Sequence, residues 1–521
     1  MSHTKAGMIA VSRRDVLGAM AGAGLLAASA RIGRPAHAEA PRRGGRIRVA
    51  GMSSSTLDAL DPAKGGLSTD YTRHNFFYSG LTRYGQNLVP RMALAESMES
   101  DDRALWNVKL KKGVTFHDGS TLTADDVVYS LLRHKVPATG SKVTALADQI
   151  MTVKATGPLE VEIQLVSPNA DLPSILAASH FLIIKDGTTD FRTANGTGPF
   201  KCTTFIPGVR TIAKRYEGHW QDGKPYLDEI ELIGIGDQTS RVNALLSGDV
   251  HLVIAVNPRS SRVIRATPGY TVQDSPSSLY TNLIMRQDTQ PTNDPNFVLA
   301  MKYLFDRELL RKAVYRGYAT IANDQPIPPS NPYYLEGLPQ REFDPDRAGY
   351  LLKKAGLMGV RLPMYASPAA EGSVDTASVL QEAAAKIGLK LAVNRVPADG
   401  YWSNHWMKHP LGFGNTNPRP TADMIFGQFY KSDAPQNESG WRNDQFDQLL
   451  LAARGEADEA KRKQMYGDMQ VLVHQHCGVG IPVFISLTDA YDSRIKGYTP
   501  SPLGGLMGYS FCDQVWWEDR A

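Results

Sequence analysis

Cysteine is scarce in this sequence: Cys202, Cys477 and Cys512 are its three, none in a CxxC spacing. That excludes a disulfide scaffold, a four-cysteine zinc site and a thioredoxin-type redox centre. Lipid attachment is not indicated either, because no cysteine stands near the expected N-terminal processing site. An oxidising compartment permits one disulfide with a thiol left over, and the sequence does not choose the pair. Long apolar runs are missing too. The stretch from Val16 to Ala30 is shorter than the roughly 20 residues that span a bilayer, and no later run is longer, so no membrane insertion is expected. Charge of one sign is not in excess. Residues 1–38 hold five of the 57 basic residues and one of the 53 acidic ones, so the remainder carries 52 of each. That leaves no electrostatic footprint for nucleic acid or an anionic membrane. Catalytic signatures are absent as well: no GxSxG, no HExxH, no Walker A loop, and no GxGxxG between a strand and a helix.

What is present begins with the N-terminus. Residues 1–38 read as a cleavable export signal, with Arg13-Arg14, a short Ala/Gly/Leu stretch and the small-x-small site Ala36-His37-Ala38. The paired arginines resemble the twin-arginine export consensus, with Val16 where that consensus usually has Phe. A periplasmic protein processed near Ala38 is therefore expected. At 521 residues, the chain exceeds what a single core organises, so two or more lobes are expected.

Patterning places the elements. "GGRIRVAG" offers a strand with Ile47 and Val49 inward. "LEVEIQLVSP" alternates at Leu159, Val161, Ile163 and Leu165 and stops at Pro168. From Glu229 to Val256 the chain reads strand, helix, strand, with the helix beginning after Asp237 and ending at Gly248; such a unit implies a parallel sheet. Asp294-Pro295 opens a helix with apolar residues at 297, 298, 301, 304 and 305. A helix stopped at Gly388 precedes a strand with Leu389, Leu391 and Val393 inward. Two further helices divide near Gly455. The stretches "NDQPIPPSNPYYLEGLP" and "HPLGFGNTNPRPTAD" read as loops, where binding groups usually sit.

The segment "WNVKLKKGVTFHDGSTLTADDVVYS", residues 106–130, is the densest in signals. Trp106, Val108 and Leu110 alternate, as do Val114 and Phe116, which predicts a hairpin between the two runs. Thr123 and Asp126 form a helix-capping pair. His117 and Asp118 between them read as turn residues rather than an acid–base pair. Two histidine pairs, His405/His409 and His474/His476, lack the third and fourth ligands of a zinc site; neither a metal nor a cofactor is expected.

The same segment closely resembles the signature of the family 5 extracytoplasmic solute-binding proteins, the peptide, dipeptide and nickel-chelate receptors of ABC importers. Further similarities follow in family order: Leu60-Asp61-Pro62, "GTGPFK" at Gly196–Lys201, "SGDVHL" at Ser247–Leu252, "FVLAMKYLFDRELL" at 297–310 and "NDQFDQLLLAAR" at 443–454. They cover nearly all of residues 45–515. The resemblance implies an α/β, two-lobed periplasmic-binding-protein fold of type II, cluster-C-like, with an extra subdomain in the first lobe. It places the first lobe at 39–275 plus 481–521, the subdomain at about 65–190, and the second lobe at 276–480. The chain would cross between lobes near residues 271–285 and 477–491. A monomer is expected that closes on a small-molecule or short-peptide ligand and meets the permease subunits of an ABC transporter, without catalysis.

The resemblance also points to binding residues. Tyr71 follows "LDP", and Ser179 and His180 lie in the subdomain segment that approaches the ligand. In the second lobe the loop after the strand ending near Gly412 carries Asn415, Thr416, Asn417 and Arg419. Peptide-binding relatives commonly hold the ligand α-amine with an aspartate there, and this chain has no acid before Asp423. Arg419 either grips a carboxylate or phosphate through paired hydrogen bonds or braces the loop by pairing with Asp423. Tyr401, Trp402 and Trp406 read as pocket wall or as core. Asn437 and Trp441 complete the set. The ligand class this favours is a short peptide or peptide-like anion; the alternative is a metal chelate or a sugar-derived conjugate.

Overall fold

The computed structural model describes residues 40–518 apart from Ser54 and Gln86; the expected export signal and its processing site lie outside the described residues. Two long strands organise the rest. Tyr270–Met285 and Val483–Asp492 run antiparallel from Tyr270↔Asp492 to Ser275↔Leu487 and meet again at Leu279↔Ile485. Pro276 has no N–H for the ladder, so pairing breaks there. Ser277 bridges the gap, donating its hydroxyl to the Ile485 carbonyl (2.7 Å) and accepting from the Leu279 N–H (2.9 Å).

One sheet of 12 strands passes through this pair. On one side follow Leu252–Val253, Arg46–Gly51, Glu229–Gly234, Arg210–Arg215 and Phe200–Ile206; on the other, Leu411–Thr416, Arg361–Ala366 and Lys390–Arg395. The result is a two-lobed α/β fold. Arg46–Gly51 runs parallel to both Glu229–Gly234 and Leu252–Val253. The expected strand–helix–strand unit is thus present, its helix Gln238–Leu246 capped by Asp237 (Ser240 N–H to Oδ1, 2.7 Å). Its strands are not neighbours, however, because the N-terminal strand lies between them. Ile47 and Val49 are fully buried.

A separate four-stranded sheet, Ala95–Glu99, Leu105–Leu110, Glu160–Leu165 and Ile150–Gly157 in spatial order, packs a core of its own under helix Ala124–Leu132. Here the expected hairpin is corrected. Leu105–Leu110 pairs with Ala95–Glu99 and Glu160–Leu165. Val114–Phe116 folds back on Ser120–Leu122 instead, through Phe116 N–H to Ser120 O (2.8 Å) and Leu122 N–H to Val114 O (2.9 Å). Trp106, Val108, Leu110, Val114 and Phe116 are all buried. Alternation decides which side chains go inside; it does not name the partner strand.

His117 and Asp118 serve as scaffold. The His117 N–H donates to Gly196 O (2.9 Å) and its Nε2 meets Gly198 O (3.0 Å), while Lys201 donates to the His117 carbonyl (2.6 Å). The residues therefore fasten one sequence signature, "FHDG", to another, "GTGPFK". The Asp126 carboxylate accepts from the Thr123 N–H (2.7 Å) as the capping pair requires.

A buried ionic net surrounds Lys302. Lys302, fully buried, donates to Val473 O (3.2 Å) and His474 O (3.0 Å) at the end of helix Glu459–His476, where unpaired carbonyls favour a cation. Asp324 beside it accepts from Arg307 and Arg341. His474 belongs to this net, with Nδ1 against Asn323 O (2.7 Å) and Nε2 against Arg341 (3.0 Å). Burial and then Arg341 push its pKa down to about 4. His405 and His409 are bonded to each other (3.1 Å), and no cluster of three metal-ligating side chains exists among the described residues. All three cysteines are unpaired.

Candidate functional site

Beside the paired long strands, which contribute Leu279, Leu487 and Asp489, a cavity of about 1390 Å³ opens. That exceeds the roughly 300–1,000 Å³ typical of a small-molecule site. Helix Ser68–Phe77 presents Tyr71 and Asn75 to it. Asn75 holds the neighbouring turn, donating to Ser179 Oγ (3.1 Å). The His180 Nε2 meets Gly65 O (2.9 Å), and its ring stands edge-on to Tyr71 at 5.2 Å. Tyr71 also packs against Tyr509 (5.5 Å). The three residues expected from the first lobe, Tyr71, Ser179 and His180, therefore share one wall.

From the opposite side come Asn415, Asn417 and Arg419. The chain there is not loop from Gly412 onward, as the sequence suggests. The strand runs on through Leu411–Thr416 because Tyr280↔Thr416 and Thr281↔Asn415 continue its ladder. Strand alternation then sends Asn415 toward the cavity and buries Thr416 behind it. Asn415 donates to Thr281 Oγ1 (3.0 Å).

Arg419 is half-buried and faces the cavity. Its Nε donates to Gln428 Oε1 (2.8 Å), and its Nη1 to the carbonyls of Asn417 (3.2 Å) and Pro418 (3.3 Å). The guanidinium lies over the Phe429 ring at 5.5 Å. It forms no ion pair among the described residues. Asp423, its alternative partner in sequence, is taken by Arg454 at 2.6 Å. Burial lowers the pKa of Arg419, opposed by Tyr280 and Tyr71.

The remaining expected residues stand off the cavity wall. Tyr401 is buried, its hydroxyl donating to Phe413 O (2.7 Å). Trp402 is 42% exposed on the outside. The Trp406 indole donates to Glu438 Oε1 (2.7 Å). Asn437 donates to Trp441 O (2.6 Å), and Trp441 packs edge-on against Phe446 at 5.2 Å. Sequence reading missed Glu371, Gln428, Gln436, Asp489 and the segment Leu503–Ser510, all of which line the cavity. Gly504-Gly505 and Gly508 were a readable sign of the last. There Leu506, Met507 and Tyr509 take left-handed φ values of 54°, 56° and 70°, a conformation that non-glycine residues rarely adopt. Asp489 anchors the turn by accepting from Leu506 N–H (2.8 Å) and the Tyr498 hydroxyl (2.6 Å).

Glu438 is 5% exposed, with Oε2 accepting from Asn282 (2.6 Å) and no ion pair among the described residues. Burial raises its pKa to about 7. A carboxyl whose pKa is higher folded than unfolded stabilises fully below the unfolded value, near 4.5, and loses that contribution as pH rises through 7. Glu438→Gln should therefore raise stability at pH 8 by about 2 kcal/mol and change little at pH 4.5. Urea unfolding of both proteins at the two pH values checks this, and an equal shift at both would refute it.

A two-lobed fold with a large cavity beside the pair of long strands defines a receptor that takes up a solute. The profile of the bacterial extracellular solute-binding proteins, family 5 (middle region), matches residues 88–438, and the chain belongs to that family. It is 27% identical over 488 residues to the glutathione-binding protein GsiB of Escherichia coli O6:K15:H31, covering 90% of this chain and 93% of that one. Among solved structures, the ABC transporter substrate-binding protein CtaP of Listeria monocytogenes superposes with a TM-score of 0.81 at 22% identity, over 92% of this chain and 100% of that one. The periplasmic binding protein DppA of Helicobacter pylori, in complex with the peptide STSA, gives 0.74 at 22%, over 92% and 99%. No helix among the described residues is long and apolar enough to cross a membrane.

Proposed function

We propose that this receptor captures a short peptide or peptide-like, amino-acid-derived anion in the periplasm and hands it unaltered to the membrane subunits of an ABC importer. One observation carries the reading: Arg419, half-buried and without a carboxylate partner among the described residues, lines the same cavity as Tyr71. A guanidinium desolvated in this way is costly unless a ligand supplies the counter-charge. The similarity to a glutathione-binding protein and to a peptide-bound structure supports the same class. In this reading residues 1–38 are a twin-arginine export signal, and the mature protein is a monomer. Residues 39–275 with 481–521 form one lobe and 276–480 the other, hinged on Tyr270–Met285 and Val483–Asp492. Contacts made only in the closed form drive closure.

The test is mass spectrometry of small molecules released by acid from protein purified without unfolding, followed by calorimetry with the compound found. The expected compound carries a free carboxylate on an amino-acid skeleton. Recovery of a neutral sugar, or of a metal complex with no free carboxylate, would overturn the proposal.

A further inference from the structure

Met407 stands between two histidines in "HWMKH", residues 405–409. The backbone folds tightly there. The N–H groups of His405 (2.9 Å) and Trp406 (3.0 Å) both donate to Tyr401 O, and the Lys408 N–H donates to His405 O (3.1 Å). Met407 takes φ +58°, a strained value for a residue with a side chain, and such strain gathers at ligand sites. Its carbonyl is pinned by Arg286 Nη1 (2.5 Å). The turn brings His405 Nδ1 to 3.1 Å from His409 Nε2. Tyr365 stacks on the His409 ring at 3.5 Å and 6°, and Tyr401 lies nearly parallel to the His405 ring at 6.2 Å and 19°. Aromatic rings thus hold the two imidazoles side by side.

A cavity of about 10 Å³ opens beside them, lined by His405, Met407 and His409 together with Gly412 and Phe413 of the strand Leu411–Thr416. That is room for one water or one ion. None of its lining residues belongs to the large cavity. As expected from the sequence, the pair finds no third ligand of the zinc type, because no three His, Cys, Asp or Glu side chains converge among the described residues. A thioether is a ligand of another kind. Soft sulfur together with imidazole selects copper, in its cuprous state above all. Two imidazole nitrogens bound to one ion at about 2.0–2.1 Å stand roughly 3.3 Å apart at a tetrahedral angle, close to the 3.1 Å found here.

We propose that His405, Met407 and His409 bind one cuprous ion at a site separate from the solute cavity. The ion takes the place of the proton that the two rings share. That proton passes through water to the other nitrogen of the same ring, so both imidazoles stay neutral and each offers a lone pair. The Met407 sulfur fills the third position. Copper keeps its oxidation state throughout, and no electron is exchanged.

Competition with the chelator bicinchoninate, under argon with ascorbate present, tests this on the mature chain. The chain carries Cys202→Ser, which removes the one cysteine that is not buried. Cuprous ion is the probe, and silver(I) is its redox-inert substitute. The parent is expected to take up one ion per chain. Met407→Leu and His409→Gln should each weaken uptake at least tenfold with unchanged circular dichroism. X-ray absorption of the copper-loaded parent should show a sulfur neighbour beside nitrogen, and the sulfur should vanish in Met407→Leu. No uptake by the parent, or uptake equal in the parent and both variants, overturns the proposal. A loaded spectrum without sulfur, or with sulfur that persists in Met407→Leu, overturns it too. Solute binding is read separately, because the two sites share no residue.

Discussion

Replacing Arg419 by glutamine is expected to weaken binding of the carboxylate ligand by about a hundredfold or more, with the fold intact. The reasoning follows the division of labour on the guanidinium. Nε and Nη1 are spent on Gln428, Asn417 and Pro418, so they set the orientation of the group. Nη2 makes no hydrogen bond with the described residues and is the donor left for a ligand. A charge-assisted contact to a carboxylate in a partly desolvated site is among the strong polar interactions. Truncating one partner of such a pair costs about 2–5 kcal/mol, and each 1.4 kcal/mol is a factor of ten. Stability should change little, because Gln428 retains Gln436 (2.9 Å) when Arg419 is gone. Calorimetry at low and high salt reads the effect: the parent's affinity should fall with salt more steeply than the variant's. Equal affinities would remove Arg419 from the site.

The balance between what the sequence reveals and what it hides follows from range. Local chemistry was legible. Asp237 and Asp294 each cap a helix, and Gly388 at φ +82° ends one. All of these are decided within four residues. Alternation in 105–110 and 160–165 was equally readable, since period two fixes the buried face. Partners were not legible. The strand Arg46–Gly51 inserts between two strands some 200 residues later in the chain, and only long-range packing settles that. Site residues divided the same way. Tyr71, Ser179, His180, Asn415, Asn417 and Arg419 line the cavity, and the resemblance had pointed to them from segments. Tyr401, Trp402 and Trp406, which read as pocket wall or as core, and Asn437 and Trp441, to which the resemblance pointed, do not line the cavity; Tyr401 packs in one core and Trp441 in another. Glu371 lay in a Pro/Gly loop like those singled out, but a lone acid in such a loop has no sequence signature.

Removing Arg462 should prise the lobes apart. Asp171 precedes the turn Leu172–Ile175, whose apolar residues pack with the four-stranded sheet. Arg462 lies in helix Glu459–His476, whose Tyr466 and Met469 pack in a separate core. The two side chains meet beside the cavity at 2.7 Å, 8% and 5% exposed. Arg462 is held on its own side by Ala453 O (2.9 Å) and the Tyr333 hydroxyl (2.7 Å), between the Tyr333 and Tyr466 rings. One further bond crosses nearby, Ala170 N–H to Arg454 O (2.9 Å). Under the proposed clamp this pair exists only in the closed form; when the lobes part, water solvates both ions. Arg462→Met leaves Asp171 buried and uncompensated on closing, which costs about 3–5 kcal/mol. The closed population, and with it the apparent affinity, should fall by a factor on the order of a hundred to a thousand. Small-angle scattering should show a larger radius of gyration in the ligand-free variant. The double variant Asp171→Leu/Arg462→Met removes the stranded charge and should recover most of the affinity, since a buried pair and an apolar pair of similar volume stabilise about equally. If the single and double variants bind alike, and neither differs from the parent in size, the contact is incidental to closure.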